Sequence, residues 1–130
     1  MKINIFYLIV GIFSVLSAFT HTWNGFENSL KTLNNIQIDN GTRTVFTYIW
    51  HIIGIENLIF GIALIIMAFI KNRENVKFTA WVIIAVLIMR LVIISVFTFI
   101  NGGNELIDSI AMIGVIILLF FGTRMKNKTV

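Results

Sequence analysis

Two histidines stand among small residues whose spacing places each group on one face of a helix. Gly11, Ser14 and Ala18 precede His21 at this spacing, and the small residues Gly54 and Gly61, with Leu58 between them, follow His51. Small side chains let two helix backbones approach closely. We therefore expect these two faces to pack together and to bring His21 and His51 close to each other, with Trp50 beside them.

A charged pair is the second candidate group. Arg90 lies within LIMRLVII and Glu56 lies within WHIIGIEN, next to Asn57. At the rise of a helix, Glu56 lies roughly 15–17 Å after the start of its apolar segment and Arg90 the same distance before the end of its own, so in antiparallel spans both charges share one depth below the outer surface. A cation inside a membrane costs roughly 2.5–3.5 kcal/mol and needs a partner. This predicts an ion pair between Glu56 and Arg90.

The segment NGGNELIDS supplies a further acid, Asp108. Asn104 is a typical helix N-cap. Glu105 and Asp108 would then lie in the first turn of the helix, where the positive end of the helix dipole stabilises their negative charges. Alternatively, Asp108 enters a polar cleft from the same side as the histidines.

These groups predict a ligand-binding cleft inside the membrane that opens to the outer side. Its candidate residues are His21, Trp50, His51, Glu56, Asn57, Arg90 and Asp108. We expect a small ligand or a transported solute to bind there. No catalytic motif indicates an enzyme, although two other classes stay open: a membrane redox or enzymatic subunit that holds haem or quinone in the same cleft, and a structural accessory subunit.

Two metal-containing variants of this cleft follow from the histidines. His21 and His51 could act as axial ligands of a haem, with Gly54 making room for the ring. Zinc would need Asp108 as a third ligand. Cysteine ligands are excluded, since the chain has 0 cysteines.

Composition sets the class of protein in which these residues must be positioned. The chain has 130 residues, of which 58% are hydrophobic and 12% are charged, and its mean hydropathy is +0.93. These values lie far from those of soluble globular domains. The net charge of +4 does not indicate nucleic acid, because most basic residues flank apolar runs, where lipid headgroups and insertion topology explain them.

Four apolar segments are long enough to cross the hydrocarbon core of a bilayer, at 3–23, 45–70, 78–100 and 106–121. The connections after the second and third segments are short, which favours antiparallel neighbours. The sequence thus predicts an all-α integral membrane protein, a single domain over 1–130 that folds as an antiparallel four-transmembrane-helix bundle. Oligomerisation through the small-residue faces, or assembly into a larger membrane complex, would fit this fold.

The distribution of Lys and Arg predicts that both termini are cytoplasmic. Basic residues near spans are retained on that side. With this orientation only two basic residues near the spans lie outside, Lys31 and Arg43. The others lie on the cytoplasmic side: Lys2, Lys71, Arg73, Lys77, Arg124, Lys126 and Lys128.

The long outer connection, 24–44, contains two structural signals. Phe26, Leu30 and Leu33 recur at helical spacing, which indicates a short helix on the membrane surface. Asn40-Gly41 lies between alternating apolar and polar residues, which is typical of a β-hairpin turn.

The run GIENLIFGIALIIMAFIKNR, over 54–73, resembles the second helix of DoxX-like four-helix membrane proteins. These often carry a glutamate before a glycine- and leucine-rich stretch. The resemblance implies a four-span fold, a link to quinone-coupled redox complexes, and a role for Glu56.

Overall fold

A computed structural model describes residues 3–102 and 106–125. Within them the chain is helical and contains no β-strand. The helices are α1 (Ile5–Asn24), α2 (Leu30–Asn35), α3 (Asn40–Phe69), α4 (Glu74–Asn101) and α5 (Leu106–Arg124), and a π-helical turn, Gly25–Ser29, joins α1 to α2.

Four helical segments are long and apolar enough to cross a membrane, which confirms the number predicted from hydropathy. They are Ile5–Asn35, Asn40–Phe69, Glu74–Asn101 and Ile107–Arg124. Helix α4 ends at Asn101 and is followed by Gly102. The φ of Gly102 is 63°, the left-handed conformation that glycine adopts at helix C-termini.

The predicted hairpin at Asn40-Gly41 is wrong, because these residues begin α3. Asp39 caps the helix: its Oδ1 accepts the backbone N–H of Thr42 at 2.9 Å. A side-chain oxygen at the N-cap satisfies an amide that has no partner inside the helix. The apolar run that follows then propagates the helix, whereas an isolated two-stranded hairpin at this position would bury too little to be stable.

Helical structure around Phe26, Leu30 and Leu33 was predicted and is present, as the π-helical turn and α2. It continues directly from α1, so the first long helical segment runs from Ile5 to Asn35. Leu30 is buried and Phe26 is exposed.

The chain divides into two compact units, one formed by Met1–Val10 with Leu64–Val130 and the other by Gly11–Ala63. In the first unit, Asn4 is fully buried and joins three helices. Its Oδ1 accepts the N–H of Tyr7 and caps α1, its Nδ2 donates to the Gly122 carbonyl of α5 at 3.0 Å, and its backbone N–H donates to the Ala68 carbonyl of α3 at 2.9 Å.

Apolar residues of α4 pack the rest of this unit. The buried positions Ala80, Ile83, Ile84 and Leu87 fall on one face of the helix. Near the end of α5, the Phe120 ring stands edge-on to Trp81, with ring centroids 6.0 Å apart. The Arg124 guanidinium lies 4.7 Å above the Phe120 ring, a cation–π contact.

In the second unit, glycines set the distance between α1 and α3. A Cβ on Gly61 would lie 2.8 Å from the Gly11 carbonyl oxygen and 2.8 Å from the Val15 nitrogen. A Cβ on Gly54 would lie 3.7 Å from the His21 ring and 3.9 Å from the Ala18 carbonyl oxygen. The two small-residue faces therefore meet, as their spacing predicts.

Candidate functional site

His21 and Trp50 form a reciprocal pair between the end of α1 and α3. The His21 Nε2 and the Trp50 carbonyl oxygen are 3.1 Å apart, and the Trp50 indole N–H donates to the His21 carbonyl oxygen at 3.1 Å. The rings stack with centroids 4.3 Å apart and planes 11° from parallel. Because a carbonyl oxygen can only accept, His21 Nε2 carries the proton in this arrangement.

Gly25 makes room for this pair. It is buried at the first position of the π-helical turn, and the Trp50 indole occupies the space that a Cβ at Gly25 would fill. A π-helical turn adds a residue to a helix and is frequent at functional sites. Here it follows directly after the segment in which His21 meets Trp50.

His51 follows Trp50 in the chain but contacts a different aromatic residue. Its ring lies 6.0 Å from the Phe26 ring, with the planes inclined by 55°. Both residues border a pocket of about 390 Å³, which we call the loop pocket. Its lining residues are Phe26, Leu30, Lys31, Asn34, Asn35, Thr47 and His51.

Among the polar residues that line the loop pocket, His51 was a candidate predicted from the sequence, whereas Lys31, Asn34, Asn35 and Thr47 were not. Lys31, Asn34 and Asn35 recur at i, i+3 and i+4 on α2, and Thr47 and His51 at i and i+4 on α3. That spacing places each group on one helical face, and it is the signal that could have found the pocket.

The other predicted site residues lie elsewhere along the chain. Glu56 and Asn57 are half-buried in α3, and Arg90 is half-buried in α4. Asp108 is exposed in the first turn of α5, whereas Asn104 and Glu105 lie outside the described residues. The Glu56–Arg90 ion pair stays a prediction.

The geometry around His21 does not suit a bis-histidine haem. Its Nε2 is engaged by the Trp50 carbonyl, and the space above Gly54 is filled by α1, including Thr22 Oγ1 at 3.2 Å from the Cβ position. In the part of the chain that the structure describes, no group of three or more His, Asp or Glu side chains is placed to hold a metal ion, so the zinc alternative has no ligand set there.

Electrostatics at the start of α3 are dominated by Asp39. Hydrogen bonds from the Thr42 hydroxyl and the Thr42 backbone N–H hold the pKa of Asp39 below its ordinary value of 3.8, because they favour the charged carboxylate. Nearby, the Arg43 guanidinium donates to the Ile36 carbonyl at 3.2 Å. Together these bonds anchor the connection between α2 and α3.

Comparisons with protein-family models, with curated proteins and with solved structures found no match. The function is therefore inferred from the pocket and from the chain's own chemistry.

Proposed function

We propose that the protein is a multi-pass integral membrane protein that binds a small polar ligand from the outer side of the membrane. Four long apolar helical segments support the membrane location. The loop pocket is the observation that carries the binding proposal. Its volume of about 390 Å³ falls within the range of about 300–1,000 Å³ typical of small-molecule sites.

The orientation is part of the proposal. With both termini in the cytoplasm, the α3–α4 connection with Lys71, Arg73 and Lys77 is cytoplasmic, and the α2–α3 connection lies outside. Basic residues favour the cytoplasmic side because insertion retains them there. The loop pocket, lined by α2 and by the first turns of α3, then faces the outer medium.

The lining chemistry supports a polar ligand with a small apolar part. Leu30 and Phe26 supply apolar surface, while Lys31, Asn34 and Asn35 supply hydrogen-bond donors. Binding sites for small molecules commonly combine apolar walls with a few polar groups that fix the ligand's orientation.

Thermal unfolding of purified protein, with and without small polar solutes, tests this proposal. The probes are inorganic phosphate, succinate, glucose and choline chloride. A ligand that binds only the folded state raises stability by mass action, by about 2.7 kcal/mol at a hundredfold excess over its Kd. We expect at least one probe to raise the unfolding midpoint of the wild type.

Two threonines of α3 give a matched pair of variants. Both hydroxyls donate to the carbonyl four residues earlier, Thr47 to Arg43 and Thr44 to Asn40, but only Thr47 lines the pocket. Thr47→Phe should abolish the response to the probe and Thr44→Phe should preserve it. An unchanged response in Thr47→Phe, or a wild type that responds neither to these solutes nor to a lipid headgroup, would contradict the proposal.

A further inference from the structure

We infer that the loop pocket recognises an anionic group, a carboxylate or a phosphate; this inference rests on the proposed binding function. The shared chemistry has two sources, a soluble anion from the outer medium and the headgroup of an anionic phospholipid. Two properties of the lining residues support an anion: their charge and the hydrogen-bonding state of their side chains.

The charge of the pocket is positive. Lys31 carries a full positive charge, and no lining residue of this pocket is an Asp or Glu within the described ranges. The helical segment Ile5–Asn35 ends beside the pocket, and its C-terminal carbonyls bring a partial negative charge of about half an elementary charge. The full charge of Lys31 therefore outweighs this contribution and disfavours a cationic ligand.

The donors of the pocket are available to a ligand. In 3–102 and 106–125, no side-chain hydrogen bond engages Lys31, Asn34 or Asn35. The Thr47 hydroxyl, in contrast, already donates to the Arg43 carbonyl at 2.9 Å. One ammonium group and two carboxamide groups at helical spacing can all donate hydrogen bonds. They match a fully ionised carboxylate or phosphate, which accepts hydrogen bonds and donates none.

The remaining wall favours an anion attached to a small apolar body. Leu30 is 9% exposed, and the Phe26 and His51 rings are 6.0 Å apart. Part of a bound ligand would thus replace water against aromatic and aliphatic carbon, while the charged end meets Lys31.

The test uses the full-length protein in nanodiscs of phosphatidylcholine, a lipid with no net charge. Unfolding midpoints are measured with inorganic phosphate, succinate, glucose or choline chloride, and separately in nanodiscs that contain phosphatidylglycerol. Stabilisation by phosphate or succinate identifies a soluble anion. Stabilisation only by phosphatidylglycerol identifies a lipid headgroup, and both results support the inference if they depend on Lys31.

Lys31→Gln removes the charge and keeps most of the side-chain length. Because Lys31 is exposed, the substitution leaves the buried core untouched, and we expect about tenfold weaker binding of the anion. Lys31→Arg should retain binding. Lys71→Gln, at another exposed lysine in the α3–α4 connection, is the control and should respond like the wild type.

Distinct results separate this inference from the proposed function. If glucose or choline stabilises the wild type and Thr47→Phe abolishes that effect, the pocket binds ligands but the anion inference is wrong. An anion response that Lys31→Gln leaves unchanged also overturns the inference. If no probe and no lipid changes the midpoint, both proposals fail.

Discussion

Single glycines determine how closely α1 and α3 pack. The atoms nearest to a methyl group added at Gly61 would be the Val15 side chain at 2.7 Å and two backbone atoms at 2.8 Å. Backbone atoms of a helix cannot move aside without breaking the helix packing. The close approach at this position therefore requires glycine.

We predict that Gly61→Ala destabilises the protein by about 1–3 kcal/mol, the usual cost of overpacking a core. The matched control is Gly114→Ala in α5, where the described residues place no atom within 4 Å of the Cβ position apart from the helix's own nearby backbone and the adjacent residues. Alanine is the better helix former there by about 1 kcal/mol, so this variant should be as stable as the wild type or more stable. Unfolding midpoints in detergent measure both, and equal losses in the two variants would contradict the packing.

Residue spacing predicted the contact between the glycine faces but not the loop pocket. The periodic small residues of α1 and α3 are a strong signal, because close backbone approach needs them. The signal for the pocket was weaker: it consists of Lys31, Asn34 and Asn35, and polar residues at helical spacing are common on any solvent-exposed helix face. Asn4 was overlooked because a single capping residue before an apolar run has no periodicity.

Among the elements, the start of α3 shows how a local cap decides between two structures. Asn-Gly favours a hairpin when strands flank it, but here Asp39 and Thr42 form hydrogen bonds that begin a helix. Gly41 adds no positive φ. The helix that starts at this cap carries both Thr47 and His51 into the loop pocket.

This cap gives a pH dependence with a definite sign. The folded-state pKa of Asp39 lies below its ordinary value of 3.8. Its contribution to stability is therefore complete above that value and is lost as the pH falls through the lower, folded-state pKa. We predict that Asp39→Asn, which keeps a capping oxygen but cannot titrate, loses less stability than the wild type on acidification.

Unfolding midpoints measured from about pH 5 to about pH 2 compare the two proteins. The other carboxylates titrate in both, so only the difference between the curves reports on Asp39. Thr42→Val, which removes the hydroxyl that accounts for the largest part of the lowered pKa, should reduce that difference. Parallel curves for wild type and Asp39→Asn would contradict the role of the cap.

The π-helical turn could not be foreseen from the sequence. Helical periodicity alone favours a continuous α-helix, whereas the turn is tied to the tertiary fit of Trp50 against Gly25. The existence of helical structure in this segment was predictable, whereas the contact of Gly25 with Trp50, 25 positions later in the chain, carries no signal in the local sequence.

For the whole molecule, hydropathy predicted the four long helices because each needs about 20 apolar residues to cross a bilayer. Many large apolar side chains are exposed in the isolated chain, including Phe99 at 90% and Ile107 at 82%. Such surface is unfavourable in water, which supports the proposed membrane location. The proposed membrane location would account for the small share of these apolar side chains that the fold buries.

The central claim is that the loop pocket faces the outer side of a membrane, and cysteine labelling tests it most directly. The chain contains 0 cysteines, so Asn34→Cys in α2 and Lys71→Cys in the α3–α4 connection each introduce a single thiol at an exposed position. A membrane-impermeant maleimide is added to intact cells and, separately, to permeabilised cells. We predict that Asn34→Cys is labelled in intact cells and that Lys71→Cys is labelled only after permeabilisation; the reverse pattern, or labelling of both in intact cells, would contradict the account.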